Sequence, residues 1–190
     1  MASDLRCGST PACAGGANSE PIAKALEAYL TINQDNISKG ASTASSIGQV
    51  AKTDSGNNDK ITVIGFLADA LIPRDPNSGV ATGSRLYQPV VFTKYFDASS
   101  PLLWGALATN KVIDEVDAEF YRPDPTGLPK PQLFFKMTWK KVTFVEGKAY
   151  TPLVINPANS FFQYLEDWSF TFKQVQWDQV VSSTTGSDQW

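Results

Sequence analysis

Residues 79–107, Gly-Val-Ala-Thr-Gly-Ser-Arg-Leu-Tyr-Gln-Pro-Val-Val-Phe-Thr-Lys-Tyr-Phe-Asp-Ala-Ser-Ser-Pro-Leu-Leu-Trp-Gly-Ala-Leu, carry the densest structural signal in the chain. The stretch opens as a glycine-bearing loop, becomes a strand around Pro89 and ends in a helix announced by Ser-Pro. Pro89 cannot donate to a ladder, so within Leu86 to Phe96 it marks a strand start, an edge or a bulge. Ser100 is suited to cap the helix and Pro101 to fill its first position, where a missing N–H costs nothing. Leu103, Leu107 and either Trp104 or Ala106 then share one helical face.

Upstream, Ile72 to Arg85 is a loop with two prolines and two glycines, too long for a plain connection. Before it, Lys60 to Leu71 is apolar in both phases, the pattern of a strand covered on both faces. Leu26 to Asn33 alternates Leu26, Ala28, Leu30 and Ile32 against Glu27, Tyr29, Thr31 and Asn33, as in a half-buried strand; a helix through Ala23 to Tyr29 is the competing reading. Residues 35–58 read as a polar loop with a short, weak strand near Ile47 to Val50. Residues 1–21 offer little to bury and read as a disordered tail, leaving 22–190 as one domain.

Downstream, Val112 to Arg122 places Val112, Val116, Ala118 and Phe120 inward and Glu115, Asp117 and Glu119 on a solvated face. Residues 123–131 hold the turn residues of a hairpin loop. The last long strands share an irregularity. Leu133, Phe135, Met137 and Trp139 occupy one phase, and Val142 and Phe144 the other. Trp168, Phe170 and Phe172 are followed likewise by Val175 and Trp177. A one-residue slip inverts faces, so each flip requires a bulge or a strand that turns a corner. The expected fold is mainly β, a single-domain β-barrel or two-sheet sandwich, with one short α-helix on an opening or flank.

Composition narrows the function. The 190 residues are 42% hydrophobic and 18% charged, with a net charge of −3, and no run of Lys/Arg is dense enough to track phosphates. A nucleic-acid partner is not expected. No stretch approaches the ~18 apolar residues of a membrane span, and no apolar leader core opens the chain. Membrane insertion and a cleaved signal peptide are therefore not expected either.

Histidine is absent, which removes the commonest general base and metal ligand. No phosphate loop, metal-ligand spacing or nucleophile elbow appears, so no enzyme activity, metal or cofactor is expected. Cys7 and Cys13 stand close together near the start, as two free thiols or a short disulfide loop. The five tryptophans pose a sugar-stacking surface against a structural role, and Trp139, Trp168 and Trp177 follow core periodicity.

The opening stretch contains Gly79-x-x-Thr82-Gly83-x-Arg85-x-x-x-Pro89, a strand ending Thr93-Lys94, then Asp97-x-Ser99-Ser100-Pro101-x-Leu103. This pattern resembles the haemolysin-coregulated protein (Hcp) family, tube-forming proteins of bacterial type VI secretion, and the similarity extends over about residues 26–190. Leu165 to Trp177 and the terminal Ser187-Asp-Gln-Trp190 are similar too. The resemblance implies six-membered rings of β-barrel protomers stacked into a tube, with effectors in the lumen and a spike protein and contractile sheath as partners. It also implies a cytoplasmic stage before firing and then secretion.

Within that frame the proline-stiffened segment is a plausible donor to a ring interface, with Ile72, Pro73, Arg74, Asp75, Pro76, Arg85 and Tyr87 as candidates. Arg85 has two readings, an anchor on carboxylates or carbonyls of the junction, or an ordinary turn-end charge. Many relatives carry histidine where this chain has Tyr87. The alternatives are a phage-like tail tube protein and, in a different class, a monomeric β-sandwich that binds sugar or peptide.

Overall fold

In the computed structural model, residues 27–51, 56–128, 130–151, 155 and 163–189 are described. The expectations for the tail 1–21, for Cys7 and Cys13 and for Leu26 lie outside these residues. Among the described residues the chain is built of β1 (Glu27–Thr31), a 3-10 turn (Gln34–Asn36), α1 (Ala44–Ile47), a second 3-10 turn (Gly48–Val50), β2 (Ile61–Leu67), β3 (Ala70–Leu71), β4 (Leu86–Tyr87), β5 (Val90–Tyr95), α2 (Ser100–Ala108), β6 (Val112–Arg122), β7 (Gln132–Tyr150), β8 (Leu165–Thr171), β9 (Gln174–Gln179) and β10 (Thr184–Gln189).

The main sheet runs β10-β9-β7-β6-β1-β2-β5-β8, and β8 pairs again with β7. That last pairing closes β7, β6, β1, β2, β5 and β8 into an antiparallel barrel. One strand makes closure possible. β7 pairs with β9 along Phe135 to Lys140 and with β8 along Thr143 to Tyr150. Lys141 sits between the two stretches at φ 53° and inverts the side-chain phase there. Trp139 on one side of it and Val142 and Phe144 on the other are therefore all buried. The second expected flip is a break between strands. Phe172 and Lys173 separate β8 from β9, and the Lys173 N–H holds the Lys140 carbonyl at 3.0 Å.

The core is aromatic. Trp139, Phe144, Trp168 and Phe170 are buried with Leu30, Ile61, Phe92 and Val116. Edge-to-face contacts link Trp139 to Phe170 at 5.3 Å and Phe144 to Trp168 at 5.7 Å. The tryptophans of the core pattern are thus structural, Trp177 packing partly buried against the cluster.

Four local expectations are corrected. Residues 34–50 are helical turns, with no strand near Ile47; Ile37, Ala41 and Ile47 are buried, so apolar anchors fold a polar stretch down. In β6, Ile113 rather than Val112 is buried, because the phase changes before Val116. The carboxylates of β6 are not one solvated face. Asp117 lies 3.2 Å from Lys136, and Glu119 accepts from Lys60 at 2.5 Å and from Tyr121 at 2.6 Å. Finally, β2 is not covered on both faces within the single chain, since Ile64 and Leu67 are exposed.

β5 runs from the arm-bearing end of the barrel to α2, so arm and helix lie at opposite ends. α2 buries Ser100, Leu103 and Ala106, which selects Ala106 over Trp104 for the inward face. Ser100 is the first helical residue rather than the cap, and its hydroxyl turns into a buried polar cluster. There Lys94 Nζ donates to Glu166 Oε2 at 2.9 Å, Ser100 Oγ at 2.9 Å and the Tyr95 carbonyl at 2.8 Å, with Asp97 Oδ1 at 3.0 Å. Glu166 also accepts from Ser100 at 2.8 Å, Trp104 Nε1 at 3.0 Å and Trp168 Nε1 at 3.1 Å. Burial pushes the Glu166 carboxyl up, but Lys94 and the donors around it outweigh this and hold it below its ordinary value.

Two outcomes follow from this packing. A Cβ added at Gly147 would stand 2.8 Å from Trp168 Cζ3 and 3.2 Å from Trp104 Cη2. Gly147→Ala is expected to lose about 1–3 kcal/mol of stability, read as a lower midpoint in urea unfolding. Lys94→Met leaves the Glu166 and Asp97 carboxylates buried without their cation and should cost about 3–5 kcal/mol at pH 7. Because the folded Glu166 titrates below its unfolded value of 4.5, its contribution is complete above that pH and disappears as pH falls through the folded value. Melting temperature against pH should therefore drop steeply below about 4.5 in the parent, and less steeply in Glu166→Gln.

Candidate functional site

The loop singled out in the sequence is a protruding β-hairpin arm. β3 and β4 pair Ala70 with Tyr87 and Leu71 with Leu86, and a further bridge joins Arg74 to Ala81. Backbone bonds close it from root to tip: Gln88 N–H to Asp69 O at 3.0 Å, Thr82 N–H to Pro73 O at 2.9 Å and Asp75 N–H to Val80 O at 2.9 Å.

The tip is built by its own side chains. Asp75 Oδ1 accepts from the N–H groups of Ser78 and Asn77, both at 2.8 Å, and from the Ser78 hydroxyl at 3.1 Å. These donors, Ser78 N–H foremost, hold the Asp75 carboxyl below its usual range. Gly79 turns the chain at φ 69°, a backbone that favours glycine. Arg74 Nη1 then holds the Gly79 carbonyl at 3.1 Å.

The candidate residues therefore fall into two groups. Ile72, Pro73, Arg74, Asp75 and Pro76 form the outgoing limb and tip, where Arg74 and Asp75 brace the turn. Arg85 and Tyr87 lie at the root on the returning limb and meet on one partner. The Tyr87 hydroxyl donates to Asp188 Oδ2 at 2.7 Å, Arg85 Nε pairs with the same oxygen, and Arg85 Nη2 donates to the Gln189 carbonyl at 2.5 Å. Burial, followed by the bond to Asp188, raises the Tyr87 hydroxyl above its ordinary value. The bond from Tyr87 comes first among the causes that lower Asp188. The Tyr87 ring also stands edge-on to Phe172 at 5.2 Å, tying the root to the barrel.

Sequence reasoning missed two features. Leu67, Leu71, Val80 and Leu86 join Ile72 as exposed apolar side chains along β2 and both limbs of the arm, with Val80 the most open at 63%. For Ile72, Val80 and Leu86 the signal was legible as large hydrophobics in or beside a polar, turn-rich segment, whereas Leu67 and Leu71 were hidden in the apolar run that ends at Leu71. Asp188 stood within the similar terminal stretch Ser187-Asp-Gln-Trp190, but nothing tied it to Arg85 or Tyr87, because those partners lie about a hundred residues away. Among the described residues no group of carboxylates and thiols is placed to hold a metal ion.

A closed antiparallel barrel that carries a braced, apolar-flanked hairpin arm defines a structural class of β-protein. The comparisons give that class its family. The model described as "Type VI secretion system effector, Hcp" matches residues 29–179. The "Major exported protein" of Pseudomonas aeruginosa is 37% identical over 169 residues, covering 87% of this chain and 96% of that one. Among solved structures, a crystal structure of an Hcp protein superposes with a TM-score of 0.81 at 28% identity, over 87% of this chain and 98% of the other. Secreted protein Hcp3 from Pseudomonas aeruginosa gives 0.71 at 31%, over 87% and 99%.

The chain belongs to the Hcp family. It is a tube subunit of type VI secretion, from a family of structural, exported proteins known to assemble as hexameric rings.

Proposed function

We propose that this chain closes into six-membered rings through the arm, that the rings stack into the inner tube of the secretion machine, and that effector proteins travel in its lumen. The observation that carries the reading is the run of exposed apolar side chains from Leu67 through Leu71, Ile72, Val80 and Leu86. Leaving so much apolar surface in water is unfavourable, and such patches mark surfaces that another protein covers. A ring joins unlike patches of neighbouring copies, so the cover is a second copy of this chain.

In this reading Ile72, Pro73, Arg74, Asp75 and Pro76 shape the part of the arm that reaches the neighbour, and Arg85 and Tyr87 hold its base. Spike protein and contractile sheath contact the assembled tube. Subunits gather in the cytoplasm before firing and leave with the tube. Residues 22–190 constitute the tube unit, with 1–21 a tail outside it. The chain performs no catalytic step; its lack of histidine and the lysine and tyrosine partners of its half-buried carboxylates support a structural role.

Replacing Pro73 to Val80 with a short Gly-Ser linker tests the arm. The barrel should fold with native circular dichroism, because shortening a loop changes closure entropy by only about 1 kcal/mol. Light scattering should show rings in the parent and monomers in the variant. Rings of parent size in the variant would show that the arm contributes nothing to assembly.

A further inference from the structure

The arm's aim relative to the barrel is set at its root. Within the arm, two β pairs and a few backbone bonds hold the limbs together, but none of these fixes the hairpin's direction. The main sheet breaks off at Leu67 on one side and resumes at Val90 on the other. Among the described residues, the hydrogen bonds, ion pair and ring contact that join this stretch to other elements all come from its root residues. Tyr87 touches Phe172 just beyond β8, while Arg85 and Tyr87 converge on Asp188 and Gln189 of β10. Among the described residues β10 pairs with β9 alone, register Thr184 to Gln179 through Gln189 to Gln174, as the outer edge of the sheet and not part of the barrel wall.

We propose that Asp188 is a positioning residue for assembly: by gripping Arg85 and Tyr87 it locks the arm against the C-terminal strand, in the direction in which a second copy of this chain receives it. The proposal rests on the ring reading and assigns Arg85 a role within its own subunit. Arg85 and Asp188 are both partly exposed, and an ion pair in that setting adds little to folding stability. Its effect is to hold one orientation out of many before docking, which spares the complex the entropy of ordering a mobile hairpin. A guanidinium that pairs with a carboxylate and donates to the adjacent carbonyl is suited to fixing an angle as well as a distance. β10 thereby becomes part of the assembly machinery.

The test compares Asp188→Ala, Arg85→Ala and the double variant in the full chain. If Asp188 works by gripping Arg85, each single variant raises the protein concentration at half-assembly about tenfold and the double variant does no worse than either. Melting of the barrel stays within a few degrees of the parent. Hydrogen exchange on the unassembled fraction, collected by size exclusion, should speed up about tenfold in both single variants at the amide of Gln88, whose bond to the Asp69 carbonyl lies at the root about which a released arm pivots. If Arg85 instead anchors the neighbour directly, Asp188→Ala assembles as the parent does while Arg85→Ala does not, and the proposal is overturned. Unchanged exchange in Asp188→Ala overturns it as well. Because exchange is read on single subunits, that measurement judges the grip even if the linker variant of the arm shows the ring reading to be mistaken.

Discussion

The Glu166 carboxylate is the point on which the barrel's helical end depends. It accepts from Lys94 on β5, from Ser100 and Trp104 on α2 and from Trp168 on its own strand, so one buried side chain joins three elements. An ion pair taken out of water is costly unless its remaining donors and acceptors are matched, and here they are. Lys94 spends its protons on Glu166, Ser100 and the Tyr95 carbonyl, with Asp97 alongside. Asp97 in turn takes the Ser99 N–H at 2.7 Å and the Ser99 hydroxyl at 2.5 Å, fixing the chain as it enters α2. An apolar lid of the same volume could cover the opening equally well. The polar version also dictates where the helix begins and which way it points.

The opposite end obeys a different constraint. There the wall depends on β7, which keeps β6 on one edge for most of its length and changes partner on the other. Lys141 in the left-handed region makes the change without interrupting the strand. The barrel thus closes through β8 while β9 and β10 continue past it as an extension. That extension supplies Asp188 beside the arm, and the phase inversion of β7 is what brings it there.

The two ends suit a subunit that must be rigid itself yet complete only in company. The helical end meets its polar needs internally. The arm end satisfies its backbone through the hairpin and its tip through Asp75, but leaves Leu71, Ile72, Val80 and Leu86 in water. Saturated hydrogen bonding with unsaturated apolar surface is the balance expected where a loop is preformed for a partner.

By itself the sequence determined the strand-rich class, the helix announced by Ser-Pro, the break at Pro89, the aromatic core positions and the unusual status of Ile72 to Arg85. Each of these is written in local periodicity or in the fixed geometry of proline and glycine. It also contained the irregularity of β7, since an inverted phase shows in the order of residues alone. Only the tertiary structure decided that Lys94 is buried, that residues 34–50 fold down on Ile37 and Ala41, that β2 keeps one face open, and that Arg85 turns to its own C-terminal strand. These depend on what lies across the barrel. Lys94 is 72 residues from Glu166, and Tyr87 is 101 from Asp188. A charge carries no periodicity to announce its partner, so its burial is settled only when closure of the sheet brings an opposite charge within reach.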